Sequence, residues 1–413
     1  MPPYSALFFA LFFLLAFFLI WTIDRDKYAS QIPIVALGVL LILFLGLRFE
    51  VGRDYPIYKD AFESVFSPHS QHMSGIWKTY NEALRYLRLD FSIWTLVVAA
   101  LFIPLSLWGY KKQSYRFALA ALTFILVWKL YFESFNIVRQ CMAQAICLFA
   151  VPFFRDRRYL ETLIVLLLAF LTHSSAIVMF VLVPLFFVRF NRVFMGILFA
   201  LSLTLLPIIT KAILQSSVPY LPFDTMYIEQ MYDTQEGLGS GIMYYFNTLI
   251  AFYLLWRQKD LLDLDRNLLP YINTFFFATI ITNTFVFFQV ADRFMYYPFF
   301  FLPILVSNLY EKGNQYDRIA IIILLFAQSI ITMRNITNTN ESFYNYKIIL
   351  HDKDAPNDFW VNPTHNQTFS LSLFGGNNKP NASKGNEEKR REQTCFGLFP
   401  CQAQQLELRP NHC

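Results

Sequence analysis

Five groups of ionisable residues interrupt an otherwise hydrocarbon-like chain: Arg48 with Arg53 and Asp54, Glu133 with Arg139, His173, Asp292 with Arg293, and Arg334. Charge inside or beside a membrane span is costly, so such residues mark function by default. Several guanidinium groups at one depth, with a carboxylate and an imidazole beside them, are equipment for binding an anion and moving a proton. In the segment Leu47 to Tyr58, Arg48 and Arg53 flank Gly52, whose missing Cβ permits a sharp turn. Asp54, Tyr55 and Tyr58 then open a short helix, with Asp54 near its N-terminus. This set suits a phosphate together with sugar hydroxyls. It reads equally as an interfacial anchor of snorkelling Arg and belt Tyr.

The helix from Asn136 carries Arg139, Gln140, Ala143, Gln144 and Cys147 on one stripe. The glutamines are expected as helix–helix glue. Arg139 cannot shed its charge and needs an anionic partner, either a ligand or Glu133 as a structural mate. His173 sits in Leu171-Thr172-His173-Ser174-Ser175, between two short apolar runs. It is either a packing residue or a base able to take a proton from a sugar hydroxyl. Gln289, Asp292, Arg293, Tyr296 and Tyr297 form a fourth cluster, in which Asp292 neutralises Arg293 or both face a ligand. Upstream, Asn273, Thr279, Thr282 and Asn283 give one apolar run a polar face.

These residues must be positioned by membrane helices. Of 413 residues, 56% are hydrophobic and only 15% charged, whereas soluble domains carry about 25% charged residues. The net charge of +5 lies in short clusters between apolar runs, which argues for membrane orientation and against nucleic acid. Runs able to span lie at 4–23, 32–47, 91–109, 115–132, 136–154, 159–172, 174–188, 193–210, 241–256, 268–290, 294–310 and 318–333. The fold expected is all-α, a polytopic membrane protein of about 10–12 transmembrane helices, some tilted because they are short. The first run lacks a basic n-region and a small-residue cleavage motif, so it reads as a mature helix. A transmembrane domain 1–334 then carries outer loops 48–90 and 211–240, followed by a polar tail 335–413, expected to be largely disordered.

Lys and Arg pairs in alternate turns (Arg25/Lys27, Lys111/Lys112/Arg116, Arg155/Arg157/Arg158, Arg189/Arg192, Arg257/Lys259/Arg266 and Lys312/Arg318) are expected on the cytoplasmic side. All five ionisable groups then fall on the outer side. The loop 48–90 breaks the rule with Arg48, Arg53, Lys59, Lys78, Arg85 and Arg88, which suggests that some of its positives serve a ligand. Asp24-Arg25-Asp26, Asp263-Leu264-Asp265 and Asp352-Lys353-Asp354 read as chance D-x-D triplets, since no soluble α/β domain accompanies them. Cys141 and Cys147 read as small buried hydrophobes, and Cys395, Cys401 and Cys413 match no zinc spacing, so no metal site is expected. Phosphate-loop, nucleophile-elbow, zincin and dinucleotide fingerprints do not occur.

Taken in order, Arg48-x-x-x-Gly52-x-Asp54-Tyr55, Asn136-x-x-Arg139-Gln140, His173-Ser174-Ser175 and Arg293-x-x-x-Tyr297 resemble the motifs of the EpsG family of bacterial polysaccharide polymerases, over roughly residues 1–350. The resemblance implies a Wzy-like glycosyltransferase of the bacterial inner membrane, acting outward in O-antigen, capsule or exopolysaccharide synthesis. Such an enzyme moves a growing glycan from polyprenyl diphosphate onto the next lipid-linked repeat. It implies polyprenyl-diphosphate-linked oligosaccharide and membrane lipid as ligands, with a flippase and a chain-length regulator as partners. Under that reading Arg139 and Arg293 hold the donor diphosphate, and His173 or Asp54 is the general base. Arg48 and Arg53 seat a second anionic group, Tyr55, Tyr58 and Tyr297 offer rings to sugars, and Asn136, Gln140 and Gln289 complete the binding set. Guanidinium charge takes the place of a metal, and no cofactor is expected.

A flippase for the same lipid-linked glycan would distribute its charges through the midplane, with access from both sides. A glycan ligase would share the chemistry. A membrane O-acyltransferase would place its His in a cytosol-connected channel, and a structural subunit would need none of these groups.

Overall fold

In lipid, every backbone N–H and C=O must be satisfied within its own segment, so an apolar run becomes a helix. Each of the twelve apolar runs is built on helix, and the all-α, polytopic membrane architecture expected from the sequence is what the structure shows. This is a computed structural model. It describes residues 1–25, 31–71, 73, 75–217, 241–286, 292–339 and 342–348. The described residues all fall within one compact unit, Met1–Asp354. Most of the loop 211–240, the tail beyond 348 and Gln289 lie outside them.

The chain begins with α1 (Pro3–Arg25), α2 (Gln31–Gly46) and a short strand β1 (Arg48–Phe49). The 48–90 loop then forms α3 (Tyr55–Glu63), α4 (Pro68–Gln71) and α5 (Gly75–Tyr86). There follow α6 (Phe91–Gln113), α7 (Phe117–Leu126), α8 (Val138–Cys147), α9 (Ala150–Arg155), α10 (Tyr159–Thr172), α11 (Val178–Phe186), α12 (Arg192–Leu203) and α13 (Leu205–Ser217). The last group is α14 (Gly241–Leu264), α15 (Leu269–Thr284), α16 (Asp292–Phe299), α17 (Leu302–Lys312), α18 (Gln315–Thr337) and strand β2 (Lys347–Ile348). Among the described residues, α1, α6 and α18 are long and apolar enough to cross a bilayer unbroken, and α12 with α13, bent by 55°, are long and apolar enough only if taken together. Other runs are interrupted. Residues 300 and 301 separate α16 from α17, with Pro298 and Pro303 on either side of the break.

Polar residues sort to the two ends of these helices. At the end defined by the C-termini of α1 and α6, Arg116 grips Asp24 through Nε at 2.6 Å and Nη2 at 2.5 Å. Lys111 donates to Gln31, Tyr115 to Asp265, and Arg257 pairs with both Asp260 and the buried Asp317. Asp24 and Asp265, from two of the D-x-D triplets, are therefore engaged in structural contacts. Helix α18 starts on a capping box between Asn314 and Asp317. All these groups come from the turns rich in Lys and Arg.

At the other end, residues 342–348 return to the helices as a strap. Lys347 and Ile348 pair antiparallel with Phe49 and Arg48. Phe343 is fully buried among Trp128, Phe132 and Phe135. Tyr346 stacks on Phe44 at 4.5 Å and donates its hydroxyl to the Phe44 carbonyl at 2.6 Å. Ser5 of α1 reaches the Tyr346 carbonyl. Packing therefore runs through Ile348, past the boundary at 334 that apolar patterning suggests, because two aromatic anchors suffice to fix so short a segment. Tyr346→Ala is expected to cost roughly 3–5 kcal/mol of stability, as for other buried aromatic truncations. Thermal denaturation of the purified protein in detergent checks this as a clear drop in Tm.

Candidate functional site

The turn after α2 is set by Gly52, which has φ +111° and sits against the 132–136 turn. Its N–H donates to Ser342 Oγ of the strap at 2.7 Å, and the N–H of Arg53 donates to Asn136 Oδ1 at 2.8 Å. The turn is thus pinned from two directions, and it delivers Asp54 to the start of α3. Asp54 occupies the N-cap position of α3 without making a side-chain cap bond. Its carboxylate lies instead within reach of the charges of Arg293, Arg139, Arg53 and Arg48. Burial pushes this carboxyl above its ordinary value, against the opposing pull of the four arginines.

Arg139 lies in the first turn of α8, half-buried, with its guanidinium over the Tyr58 ring at 5.6 Å. Tyr58 in turn stacks on Trp94 at 5.4 Å, and Trp94 is anchored by a 2.8 Å bond to Asn81 of α5. Gln140 donates to the backbone carbonyl of Arg293, which couples α8 to α16. Helix α10 packs on α8 and brings His173, at its C-terminal cap, toward the same place. Trp77 of α5 holds that corner by donating to the Thr172 carbonyl at 2.8 Å. His173 Nδ1 lies 2.6 Å from Ser175 Oγ, which lies 3.0 Å from the Tyr297 hydroxyl. Burial, then the charges of Arg139 and Arg293, pull the imidazole down to about 4, so it is neutral at physiological pH.

Asp54, Arg139, His173 and Arg293 therefore converge, and each is half-buried rather than sealed. Arg53 beside them is exposed. Among the described residues neither Arg139 nor Arg293 forms an ion pair, and Arg139 Nε makes no hydrogen bond. Glu133 is not the mate of Arg139; its nearest positive influences are Lys129 and Arg53. Two guanidinium groups with no ion pair among the described residues, a carboxylate and a neutral imidazole have the chemistry to bind an anion and to transfer a proton.

Several residues expected to touch ligand stand beneath the site. Arg48 is 2% exposed, lies over the Phe135 ring at 4.9 Å, and faces a small cavity lined with Thr95 and Ser134. Tyr55 and Tyr58 are 3% exposed and Tyr297 is fully buried, so their rings pack against protein, not sugar. Asn136 Oδ1 accepts from the Arg53 N–H and Asn136 also bonds the Glu133 side chain, while Gln140 Nε2 donates to the Arg293 carbonyl and its Oε1 has no partner among the described residues. The Asp292 side chain, like Gln289, is outside the described residues, and Arg334 is exposed in the last turn of α18. Sequence reasoning assigned no role to Ser175, Ser342, Trp77 or Trp94. Only Ser175, within a motif, carried a signal. Gln144 in α8 is buried with neither amide atom bonded among the described residues, which continues the polar stripe inward from Arg139.

Fold and side-chain geometry together define a polytopic all-α membrane protein with a cluster of arginines, an aspartate and a histidine at one end of its helices. The sequence model of the EpsG family matches residues 31–348, and the chain belongs to that family. The match opens at the first residue of α2 and closes at the end of β2, so the strap lies within it. Membership points to a polysaccharide polymerase-like function. No curated protein and no solved structure gives a match.

Proposed function

We propose that the protein is a membrane glycosyltransferase that polymerises lipid-linked repeat units, passing the growing glycan from polyprenyl diphosphate to the next repeat. The observation that carries this reading is the pair of half-buried guanidinium groups, Arg139 and Arg293, with no ion pair among the described residues and within charge reach of Asp54. A diphosphate leaving group supplies the negative charge that such a pair is built to receive. The acceptor hydroxyl attacks the anomeric carbon and the carbon–oxygen bond to diphosphate breaks. The electron pair departs on the diphosphate, and the hydroxyl proton passes to Asp54 or His173. A single displacement inverts the anomeric centre. Arg53, exposed at the rim, suits a second anionic group or an acidic sugar. The Lys and Arg bias of the opposite turns supports placing this end outside the inner membrane. Surface polysaccharide of either capsule, O-antigen or exopolysaccharide type is the expected product.

The test is a deletion strain complemented with wild type or Asp54→Asn, with surface glycan resolved by size and lipid-linked repeats assayed for sidedness. Wild type should restore long chains. Asp54→Asn, at equal protein level, should lower elongation by about 10²-fold or more, the usual scale of a lost base. Residual wild-type activity should fall on acidification at a pH above the ordinary aspartate range, because the carboxylate is the active form and its pKa is raised. Accumulation of repeats facing the cytoplasm would instead identify a flippase.

A further inference from the structure

Among the described residues, the buried Tyr297 hydroxyl has one hydrogen-bond partner, Ser175 Oγ at 3.0 Å, and Ser175 Oγ has one more, His173 Nδ1 at 2.6 Å. The three groups share their protons in a limited number of ways. If Nδ1–H donates to Ser175 and Ser175 to Tyr297, the phenolic proton is left buried without an acceptor. Such an orphan costs about 1–3 kcal/mol. If both neighbours donate to Ser175, the serine proton has no acceptor among the described residues. If Tyr297 donates to Ser175 and Ser175 donates to Nδ1, every proton in the chain is accepted. An imidazole that accepts at Nδ1 and is neutral carries its own proton on Nε2.

We infer that Ser175 and Tyr297 are positioning residues that hold His173 as its Nε2–H tautomer, so the ring offers a hydrogen-bond donor and not a base. Nε2 makes no hydrogen bond with the described residues and is the ring's free donor. The tautomer stands on the hydrogen-bond chain alone; its chemical use rests on the polymerase reading. In that use the acceptor oxygen bonds to the anomeric carbon as the diphosphate departs with the electron pair. The hydroxyl proton goes to Asp54. His173 Nε2–H, together with Arg139 and Arg293, donates to the diphosphate oxygens where the charge collects, and His173 gains and loses no proton. This assigns the two proton-active groups separate duties, as catalytic sites do when environments push such groups apart.

Solid-state NMR of the full chain, ¹⁵N-labelled at histidine and reconstituted in liposomes, reads the tautomer directly. The signals that vanish in His173→Gln belong to His173. They should show Nε2 protonated and Nδ1 bare; a protonated Nδ1 overturns the inference. Ser175→Ala should mix the two tautomers, and also assigns the signals if His173→Gln does not fold. An unchanged tautomer in Ser175→Ala overturns the positioning role. In the polymer assay, His173→Gln keeps an amide donor and should elongate chains about tenfold better than His173→Ala, the scale of one hydrogen bond to a charged group. Equal loss in the two, with Asp54→Asn still active, makes His173 the base and overturns the assigned duty. Normal elongation in all three variants, with the tautomer as stated, removes this cluster from the polymerisation site and leaves the tautomer standing.

Discussion

Arg139→Ala is expected to leave single lipid-linked repeats in place of long chains, a loss of about 10²–10³-fold in elongation, with protein level and Tm close to wild type. The magnitude is that of removing one donor from a site where transition-state charge collects. The unchanged stability follows from what Arg139 lacks. It has no ion pair among the described residues, and its Nε has no hydrogen-bond partner, so truncation orphans no buried carboxylate. What remains is its contact with Tyr58, a hydrogen bond to that buried side chain and the ring beneath the guanidinium, a modest loss. Arg257 supplies the contrast. It pairs with Asp317, whose side chain is 1% exposed, and Arg257→Ala leaves that carboxylate buried and partly unpaired. Arg257→Ala should therefore lower Tm and abundance together, and activity per molecule little. Arg139→Lys should recover only part of the activity, since an ammonium keeps the charge but not the bidentate fork. Chain-length profiles normalised to protein level, with detergent melting curves for each variant, separate the two signatures. Normal chain lengths in Arg139→Ala would make the α8 stripe simple packing.

The membrane helices were legible because the signal is physical and local. An apolar run in lipid has no alternative to helix, so each of the twelve runs is built on helix, whole in the short α2 and α10 and broken in others. Asp54, Arg139, His173 and Arg293 were legible for the same reason, since charge in an apolar setting stands out at any resolution of reading. Burial of neutral partners was not legible. Tyr58 and Tyr297 carry the same side chain whether they meet a sugar or hold up an arginine and a serine, and only the tertiary contacts show the second role. The burial of Arg48 was not legible from its charge. The side chain sits under the turn with Phe135 against it, a buried cation among aromatic rings that no spacing rule anticipates. Glu133 looked like the mate of Arg139 by proximity in sequence, yet the turn at 132–136 sends it toward Lys129 and Arg53. The strap was invisible because two-residue strands have no period, and its anchors Phe343 and Tyr346 lie in a polar, Asn-rich segment.

Gly52→Ala is expected to abolish elongation as completely as a change at Arg139, although Gly52 contributes no functional group. A Cβ added at this position would run into the Phe135 carbonyl oxygen and approach its carbon to 3.0 Å. That carbonyl belongs to a turn closed by the Asn136 N–H on Glu133, so it cannot yield cheaply. At φ +111° an L-residue is strained before any clash is counted, at a cost of about 1–3 kcal/mol. The turn must then open, and it carries two bonds with it: Gly52 N–H to Ser342 and Arg53 N–H to Asn136. Asp54 is two residues further on, and a shift of about 1 Å in a proton-transfer group is enough for a loss on the order of 10²-fold. Gly75→Ala is the matching control in the same loop. Nothing lies within 4 Å of a Cβ at Gly75, which opens α5, so alanine there should be neutral or slightly stabilising. Chain-length profiles and melting curves for the two variants make the comparison. Full elongation in Gly52→Ala would show that Asp54 needs no fixed turn, and would remove the carboxylate from the catalytic set.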